Sequence, residues 1–501
     1  MLKPLSQIPQ KLRTSVSALA NSESLKGRVL RGGAWLGGAS FVEQVFRFGR
    51  NMLLTRLLVP AAFGTMAIVL SAASVIEVVL HMGIREALVQ NPRGREEDYM
   101  RAAWWMALGR AASIYLLVYL LAPFFSRFYG NSDLTGLARV ATLGVLFDGA
   151  LSPRAIVAMK EMKFSKWAMV TYGGGICGVL ITVMLSLYLR NVWALAIGYC
   201  SENGVRCILS FALCPWYPHL PLNRGALREL VRFSKGLFGL ALLNIVFIRA
   251  DIFVLGKIYP AAQLGFYSMA VLMVQTPATF LINVMFQTLL PAYSRIQNDH
   301  DRMNRILIKG AGATALLGLP LLVFVAFYGQ SLLTLVYGHA YGAGSIALAL
   351  AAGTALFNML NNQITVIFFS KALPQLHRRC NAVMAVVVLV LVYPSAKFLG
   401  VWGAQLACLI AIIIGYLLQL ERLRKLTGLS LSEYRKAFAI PALVTLGVMV
   451  VLLLARSLGP QFRVVPSVTF GLVVCLIAYA LSAAMLLRTS GGIVESKGAD
   501  V

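Results

Sequence analysis

The chain is built from apolar runs of about 20 residues, the length that an α-helix needs to cross the hydrocarbon core of a bilayer. Short polar or charged segments separate these runs from residue 33 to residue 487. The pattern predicts an all-α polytopic membrane protein with about fourteen transmembrane helices. The predicted spans are 33–55, 63–90, 103–125, 135–158, 167–189, 192–213, 233–256, 264–290, 307–328, 344–369, 381–397, 401–420, 438–456 and 466–487.

Lysine and arginine are concentrated in every second loop between these spans. The basic loops hold, for example, Arg93 and Arg95, Lys160 and Lys163, and Arg422 and Arg424, whereas the alternate loops hold few basic residues. Basic loops stay on the cytoplasmic side of a membrane. The asymmetry therefore predicts that both termini are cytoplasmic and that the number of spans is even.

Short sequence matches recur in the same order at a spacing of roughly 200 residues. LVPAAFG at 58–64 matches IYPAAQLG at 258–265, LFD at 146–148 matches LFN at 356–358, and NVWA at 191–194 matches GVWG at 400–403. Six spans in each repeat give both halves the same orientation, as in transporters with parallel repeats. The predicted organisation is a cytoplasmic tail (1–32), an N-lobe of six spans (33–224), a C-lobe of six spans (225–425), two further spans (426–488) and a cytoplasmic tail (489–501).

Ionisable residues fall on single helical faces inside the N-lobe spans. They are Glu43, Arg47 and Arg50 in the first span, Glu77, His81 and Arg85 in the second, Asp148 in the fourth, and Glu202 and Arg206 in the sixth. Such residues are costly in lipid and normally face a wet cavity or an ionic partner. We therefore predict that Arg47, Arg50 and Arg85 line a central cavity and bind an anionic substrate, with Glu43, Glu77 and Asp148 beside them. Pairs four residues apart, such as Glu202 and Arg206, could instead be internal ion pairs that fix helix packing.

The C-lobe spans carry mainly neutral polar residues. Gln275, Thr279, Asn283 and Gln287 form a row with a spacing of four in the eighth span, and Asn358, Asn362 and Thr365 share a face of the tenth. Amide side chains in a cavity could hydrogen-bond sugar hydroxyls. The candidates in this lobe are Gln275, Asn283, Asn358 and Asn362. His81, Asp148 and Glu43 are alternative candidates for coupling transport to an ion gradient. Arg249 and Asp251 lie near the outer end of the seventh span, where they could extend to the membrane surface.

Composition and motifs exclude several other classes of protein. The chain is 59% hydrophobic and 13% charged, with a net charge of +26. Cytoplasmic loops account for this charge, so nucleic acid is not a predicted partner. The sequence has no P-loop, GxSxG or HExxH motif and no CxxC pair, and we predict no enzyme activity, metal or cofactor. Three consecutive glycines, 173–175, lie within the fifth span and indicate a close helix contact.

Four segments resemble the polysaccharide flippases (Wzx-type) of the multidrug/oligosaccharidyl-lipid/polysaccharide (MOP) exporter superfamily. They are RGGAWL at 31–36, LTRLLVPAAFG at 54–64, the end of the second span at 84–92, and RADIFVLGK at 249–257. The resemblance covers nearly the whole chain. It implies a carrier of the bacterial inner membrane that flips oligosaccharide repeat units linked to undecaprenyl diphosphate, for exopolysaccharide, capsule or O-antigen assembly. It also implies alternating access, coupling to an ion gradient, and a polymerase and co-polymerase as partners alongside membrane lipid.

Two other kinds of transporter share the superfamily fold. A lipid II flippase also needs cationic groups for a diphosphate, whereas a multidrug extruder would need a more acidic or apolar cavity. A membrane glycosyltransferase or polymerase is less compatible with this sequence, because the longest predicted outer loop, about 328–343, is short.

Overall fold

The computed structural model describes residues 25–79, 83–161, 163–220, 223–237, 240–458 and 469–476. Every element in these ranges is helical, so the predicted all-α class is confirmed. The described chain divides into two compact units. The first comprises Met1–Leu58 and Ala72–Ala241, and the second comprises Val59–Ser71 and Leu242–Val501.

The first unit contains the helices up to the middle of the chain. They are α1 (Leu25–Leu57), α2 (Pro60–Val79, of which residues 60–71 belong to the second unit), α3 (Ile84–Gln90), α4 (Glu97–Tyr129), α5 (Asp133–Gly149), α6 (Pro153–Lys160), α7 (Phe164–Ala168), α8 (Gly174–Leu189), α9 (Trp193–Leu213) and α10 (Arg224–Leu237). A 3₁₀ turn at Pro92–Arg95 precedes α4, and a π-helical turn at Met169–Gly173 joins α7 to α8.

The second unit contains the remaining helices. They are α11 (Leu240–Ile258), α12 (Ala261–Arg295), α13 (His300–Tyr337), α14 (Ser345–Ser370), α15 (Pro374–Leu399), α16 (Val401–Thr427), α17 (Leu431–Lys436) and α18 (Ala439–Leu458). A 3₁₀ segment at His339–Gly344 connects α13 to α14, and residues 469–476 are also helical. Proline lies inside α12 at Pro277 and Pro291 and inside α13 at Pro320.

A described helix lies at each of the first thirteen predicted spans, but the helices at the first, sixth and seventh, α1, α9 and α11, are not among the most apolar ones. Nine helical stretches of the described chain are long and apolar enough to cross a membrane, or ten if the bent pair α5 and α6 is one span. The protein is thus an integral membrane protein. The count of fourteen stays a prediction, because α1, α9 and α11 are not among these stretches and most of the last predicted span lies outside the described residues.

The connecting helix α10 is amphipathic and packs against the rest of its unit. Ala226 and Leu230 are fully buried in a core shared with Leu88 of α3. On a neighbouring face of α10, Glu229 accepts a hydrogen bond of 3.2 Å from Arg93. These contacts fix α10 to the end of the unit that the charge asymmetry predicts to be cytoplasmic.

Candidate functional site

Two glutamates and two arginines from α1 and α9 form one connected network, which we call the Glu–Arg network. Arg47 donates to Glu43 through Nε (3.0 Å) and Nη2 (2.9 Å), and Nη2 also donates to Glu202. Arg206 Nη2 lies 2.9 Å from Glu202 Oε1 and 3.3 Å from Glu43 Oε1. Both glutamates are 5% exposed. Each carboxylate thus contacts both guanidinium groups, and the four charges balance.

The glycines of the fifth predicted span provide the space for the Glu–Arg network. A methyl group at Gly175 would lie 2.1 Å from Glu43 Oε1, and one at Gly178 would lie 2.5 Å from Glu202 Cβ. A methyl group at Gly174 would lie 2.5 Å from Arg206 Cγ. These glycines directly follow the π-helical turn, an irregularity that is frequent at functional sites. Their absence of side chains lets α8 pack directly over buried charges.

Arg50 lies one helical turn beyond Arg47 and has no carboxylate partner among the described residues. Its Nε and Nη2 atoms donate to the amide oxygen of Asn51, at 3.3 and 3.2 Å. The side chain is half-buried. An amide oxygen satisfies hydrogen bonds without neutralising the charge, so Arg50 retains a positive charge that an anion could bind.

Arg85 and Asp148, from the second and fourth predicted spans, form an ion pair. Arg85 Nη2 lies 2.6 Å from Asp148 Oδ1, and the two side chains are 49% and 26% exposed. An exposed pair of this kind is weakly held and can exchange partners. Arg85 is therefore available to a competing anion in a way that Arg47, bound to two buried carboxylates, is not.

Asp148 lies immediately before a break in the fourth predicted span, where α5 and α6 meet at an angle of 55°. Polar side chains satisfy the backbone at this break. Trp104 Nε1 donates to Ala150 O (3.1 Å), and Ser152 N donates to Ser210 Oγ (2.9 Å). Broken helices of this kind mark the ligand sites of many transporters.

Glu77, a further predicted N-lobe candidate, also belongs to this region. Glu77 is half-buried on α2, within electrostatic reach of Tyr199 on α9, which is also close to Asp148 and Glu202. The structure thus brings carboxylates from three predicted spans around one tyrosine. His81, predicted as a possible coupling residue, lies outside the described residues.

The predicted polar row of the eighth span lies on an exposed face of α12. Gln275 and Asn283 are both exposed, as are Thr279 and Gln287 between and beyond them. On α14, Asn358 is exposed and Asn362 is half-buried, with its Nδ2 atom 3.5 Å from Ile282 O of α12. The amide candidates of the second unit therefore occupy neighbouring helices.

Asp251 has a role that the sequence did not indicate. It is buried, and its carboxylate accepts hydrogen bonds from Tyr267 Oη and, at 2.8 Å, from the backbone N–H of Ile252. Tyr267 Oη also lies 2.9 Å from Gln405 Oε1. The alternative that Asp251 extends to the membrane surface is therefore wrong, because the residue joins three helices inside the unit.

A second buried polar cluster in this unit surrounds His377, which sequence reasoning missed. Its Nδ1 atom lies 3.1 Å from Thr365 Oγ1 and 3.2 Å from Gln419 Nε2, and its Nε2 atom lies 3.0 Å from Asn381 Nδ2. Thr365 therefore faces this cluster rather than the exposed face that carries Asn358. Arg378 and Arg379 follow His377 directly, so its sequence context is that of a basic loop and gives no sign of the cluster.

Within the described ranges, no group of three or more His, Cys, Asp or Glu side chains is arranged to hold a metal ion. The carboxylates of Glu43, Glu202 and Asp148 contact arginines instead. The chemistry that this arrangement offers is the recognition of an anion by guanidinium groups, together with hydrogen bonding of hydroxyls by amides.

Comparison with known proteins agrees with this architecture. The family model described as polysaccharide biosynthesis protein matches residues 53–345, more than half of the chain. Lipopolysaccharide biosynthesis protein WzxC of Escherichia coli (strain K12) is 21% identical over 432 residues, which are 85% of this chain and 87% of WzxC.

Two solved structures share the fold. The lipid II flippase MurJ, in an inward closed conformation, aligns with a TM-score of 0.74 and 14% identity over 90% of this chain and 99% of MurJ. An inward-facing multidrug resistance MATE family transporter of the MOP superfamily aligns with a TM-score of 0.59 and 12% identity over 77% of this chain and 96% of that transporter.

The chain thus has the fold of MurJ and of a MATE family transporter of the MOP superfamily. It belongs to the polysaccharide biosynthesis protein family, whose model matches more than half of its length.

Proposed function

We propose that this transporter flips an oligosaccharide repeat unit linked to undecaprenyl diphosphate from the cytoplasmic to the periplasmic face of the bacterial inner membrane. The proposal names a specific substrate for a chain that belongs to the polysaccharide biosynthesis protein family. The observation that carries it is the state of Arg50, a half-buried guanidinium whose partner among the described residues is a neutral amide.

A diphosphate is the natural ligand for such a group. Arginine binds phosphate oxygens through two parallel hydrogen bonds, and these bonds strengthen where water is scarce. Arg85 would supply a second cation, because its partner Asp148 is partly exposed and can be displaced. Arg47 and Arg206 would then hold the helices in place through the Glu–Arg network, without contacting the substrate.

The second unit would bind the sugars. Gln275 and Asn283 on α12 and Asn358 on α14 are exposed amides that can both donate and accept hydrogen bonds. Neutral amides suit glycans, since they bind hydroxyls without adding a charge that one particular sugar would have to match. This division predicts that the first unit recognises the lipid diphosphate and the second recognises the glycan.

The pairing of the carboxylates disfavours a multidrug extruder. A carrier of cationic drugs needs a free acidic group, yet Glu43, Glu202 and Asp148 each contact an arginine. A lipid II flippase also carries a diphosphate and would use the same arginines. The family match, which is to polysaccharide biosynthesis, favours a polymer repeat unit over lipid II.

Ion-gradient coupling stays part of the proposal, with Asp148 and Glu43 as its candidates among the described residues. Asp148 is the better candidate of the two. Its side chain is more exposed and has one arginine partner, so protonation would free Arg85. Protonation of Glu43 would instead leave two arginines facing one remaining carboxylate, at a larger cost.

The proposal is tested by replacing Arg50 in a strain whose only copy of the gene is the variant. Arg50→Ala should reduce polymer export about tenfold or more, because a hydrogen bond to a charged group contributes roughly 1.5–3 kcal/mol. Lipid-linked repeat units should accumulate in the inner membrane and can be identified by mass spectrometry.

Arg139→Ala is the matched control. Arg139 is another arginine within a membrane-spanning helix of the first unit, but it stacks on the ring of Tyr119, 3.8 Å from the ring centroid. Its replacement should leave export close to normal. Normal export by Arg50→Ala, at an unchanged protein level in the membrane, would contradict the proposal.

A further inference from the structure

The two copies of the repeated sequence, PAAFG at residues 60–64 and PAAQLG at 260–265, pack against each other, and both lie in the second unit. A methyl group at Gly64 would lie 1.9 Å from Ala261 O, and one at Gly265 would lie 1.9 Å from Pro60 O. Each glycine thus faces a backbone carbonyl of the other copy. The contact is reciprocal, as expected when two equivalent segments meet about a pseudo-two-fold axis.

Only glycine is compatible with this geometry. The atom that each glycine faces is a carbonyl oxygen of a helix, which cannot rotate away as a flexible side chain can. At this separation the glycine Cα hydrogens point at the oxygens, and the segments are held by weak C–H···O contacts. Small residues allow the same close approach between transmembrane helices generally.

An aromatic cluster extends the contact. Phe63, which precedes Gly64, packs edge-on against Tyr341 at a centroid distance of 6.2 Å. Tyr341 also contacts Phe266 and Tyr337, at 5.7 and 5.9 Å. Phe63 is 8% exposed and Tyr341 is 1% exposed. The start of α2, the start of α12 and the 3₁₀ segment before α14 therefore form one continuous seal.

All three segments lie on the side that the charge asymmetry predicts to be periplasmic. Their contacts are apolar packing and C–H···O contacts, which separate more readily than buried ion pairs do. We propose that the Gly64–Gly265 contact, together with Phe63 and Tyr341, is the gate that closes the periplasmic end of the transport path and separates once in each cycle. This inference rests on the proposed function, since a gate requires a transporter that alternates.

The test measures access from the periplasm, independently of substrate. The seven native cysteines are replaced, and a single cysteine is placed at Ala62, which is buried at 5% exposure. Intact cells are then treated with a membrane-impermeant thiol reagent. In the Gly265→Ala background the labelling rate should rise roughly tenfold, since the added methyl shifts the equilibrium towards the open state. Polymer export by Gly265→Ala in the otherwise native chain should be lost.

Two other glycines provide matched controls. A methyl at Gly403 would lie 2.0 Å from Ser395 O, an equally severe clash, but inside the hairpin of α15 and α16. A methyl at Gly447 would meet no atom within 4 Å. Neither Gly403→Ala nor Gly447→Ala should raise labelling of the cysteine at position 62. An equal rise in Gly403→Ala would assign the effect to general strain and overturn the gate.

Phe63→Ala keeps the test decisive if Gly265→Ala does not reach the membrane. It removes the ring that packs on Tyr341 without adding any atom, and the labelling rate should again rise. Unchanged labelling in folded Gly265→Ala or Phe63→Ala would overturn the inference. That result would leave the proposed substrate intact, whereas normal export by Arg50→Ala would reject the substrate assignment without altering the labelling result.

Discussion

Arg85 donates a hydrogen bond of 2.6 Å to Asp148, a residue 63 positions further along the chain. The bond joins the start of α3 to the last turn of α5, directly before the 55° break in the fourth predicted span. It connects the first turn of one helix to the last turn of another, at the break that follows the second. Such a link can hold the unit in one state and can also release it when an anion competes for the arginine.

A charge swap distinguishes a structural role of Arg85, as the partner of Asp148, from a role in binding an anionic substrate. Arg85→Ala should lower export about tenfold through loss of a charged hydrogen bond. In the swap Arg85→Asp with Asp148→Arg, the ion pair can form again with its charges exchanged. The melting temperature should therefore equal that of the wild-type protein, whereas export should stay low. The measurements are polymer yield and thermal unfolding in detergent. Recovery of export by the swap would assign the pair a purely structural role.

The Glu–Arg network should behave as a structural unit. Arg206→Met leaves two buried carboxylates with one arginine, and breaking a buried pair in this way costs about 3–5 kcal/mol. The melting temperature in detergent should therefore fall sharply. Adding Glu202→Gln to Arg206→Met should restore part of the loss, because the charges balance again. An unchanged melting temperature in Arg206→Met would contradict the network.

The glycines over this network provide a comparison within a single segment. Gly175→Ala should destabilise the protein, because the new methyl would lie 2.1 Å from Glu43 Oε1. Gly173→Ala, two residues away, places its methyl where no atom lies within 4 Å. It should leave the melting temperature unchanged or raise it slightly, since alanine favours a helix over glycine. Equal effects of the two substitutions would refute the packing described for α8.

The amide row of α12 should affect transport without affecting stability. Gln275→Leu combined with Asn283→Leu removes hydrogen-bonding groups from two exposed side chains. Export should fall while the melting temperature stays constant. Leu281→Ala is the control, because Leu281 is an exposed apolar residue between the two positions. If the double variant exports normally, the sugars are bound elsewhere.

Features that depend on local sequence could be predicted. Apolar length located the helices, although at least one end of each of α1, α13 and α15 lies seven to nine residues outside its predicted span, and helical spacing revealed the charged face of α1 and the polar row of α12. The glycine run at 173–175 indicated a close contact. These features follow from helix geometry alone, so no knowledge of the tertiary fold was needed.

Features that depend on which helices meet could not be predicted. Arg47 binds Glu202, 155 residues away, as well as the expected Glu43. The sequence offered no reason to prefer that carboxylate over another. Asp251 was ambiguous for the same reason, since its burial depends on Tyr267 reaching it from the next helix. The segments that contain Gly64 and Gly265 were visible in the sequence as a repeat, but a sequence repeat does not show whether its two copies are in contact.

Transbilayer movement in proteoliposomes tests the central claim most directly. The purified protein is reconstituted with a polyprenyl-diphosphate oligosaccharide on one leaflet, and the fraction that becomes accessible on the other leaflet is followed over time. We expect the wild-type protein to accelerate this movement, Arg139→Ala to match it, and Arg50→Ala to move the lipid no faster than empty liposomes. Equal rates for Arg50→Ala and wild type, or no acceleration by the wild-type protein, would contradict the account.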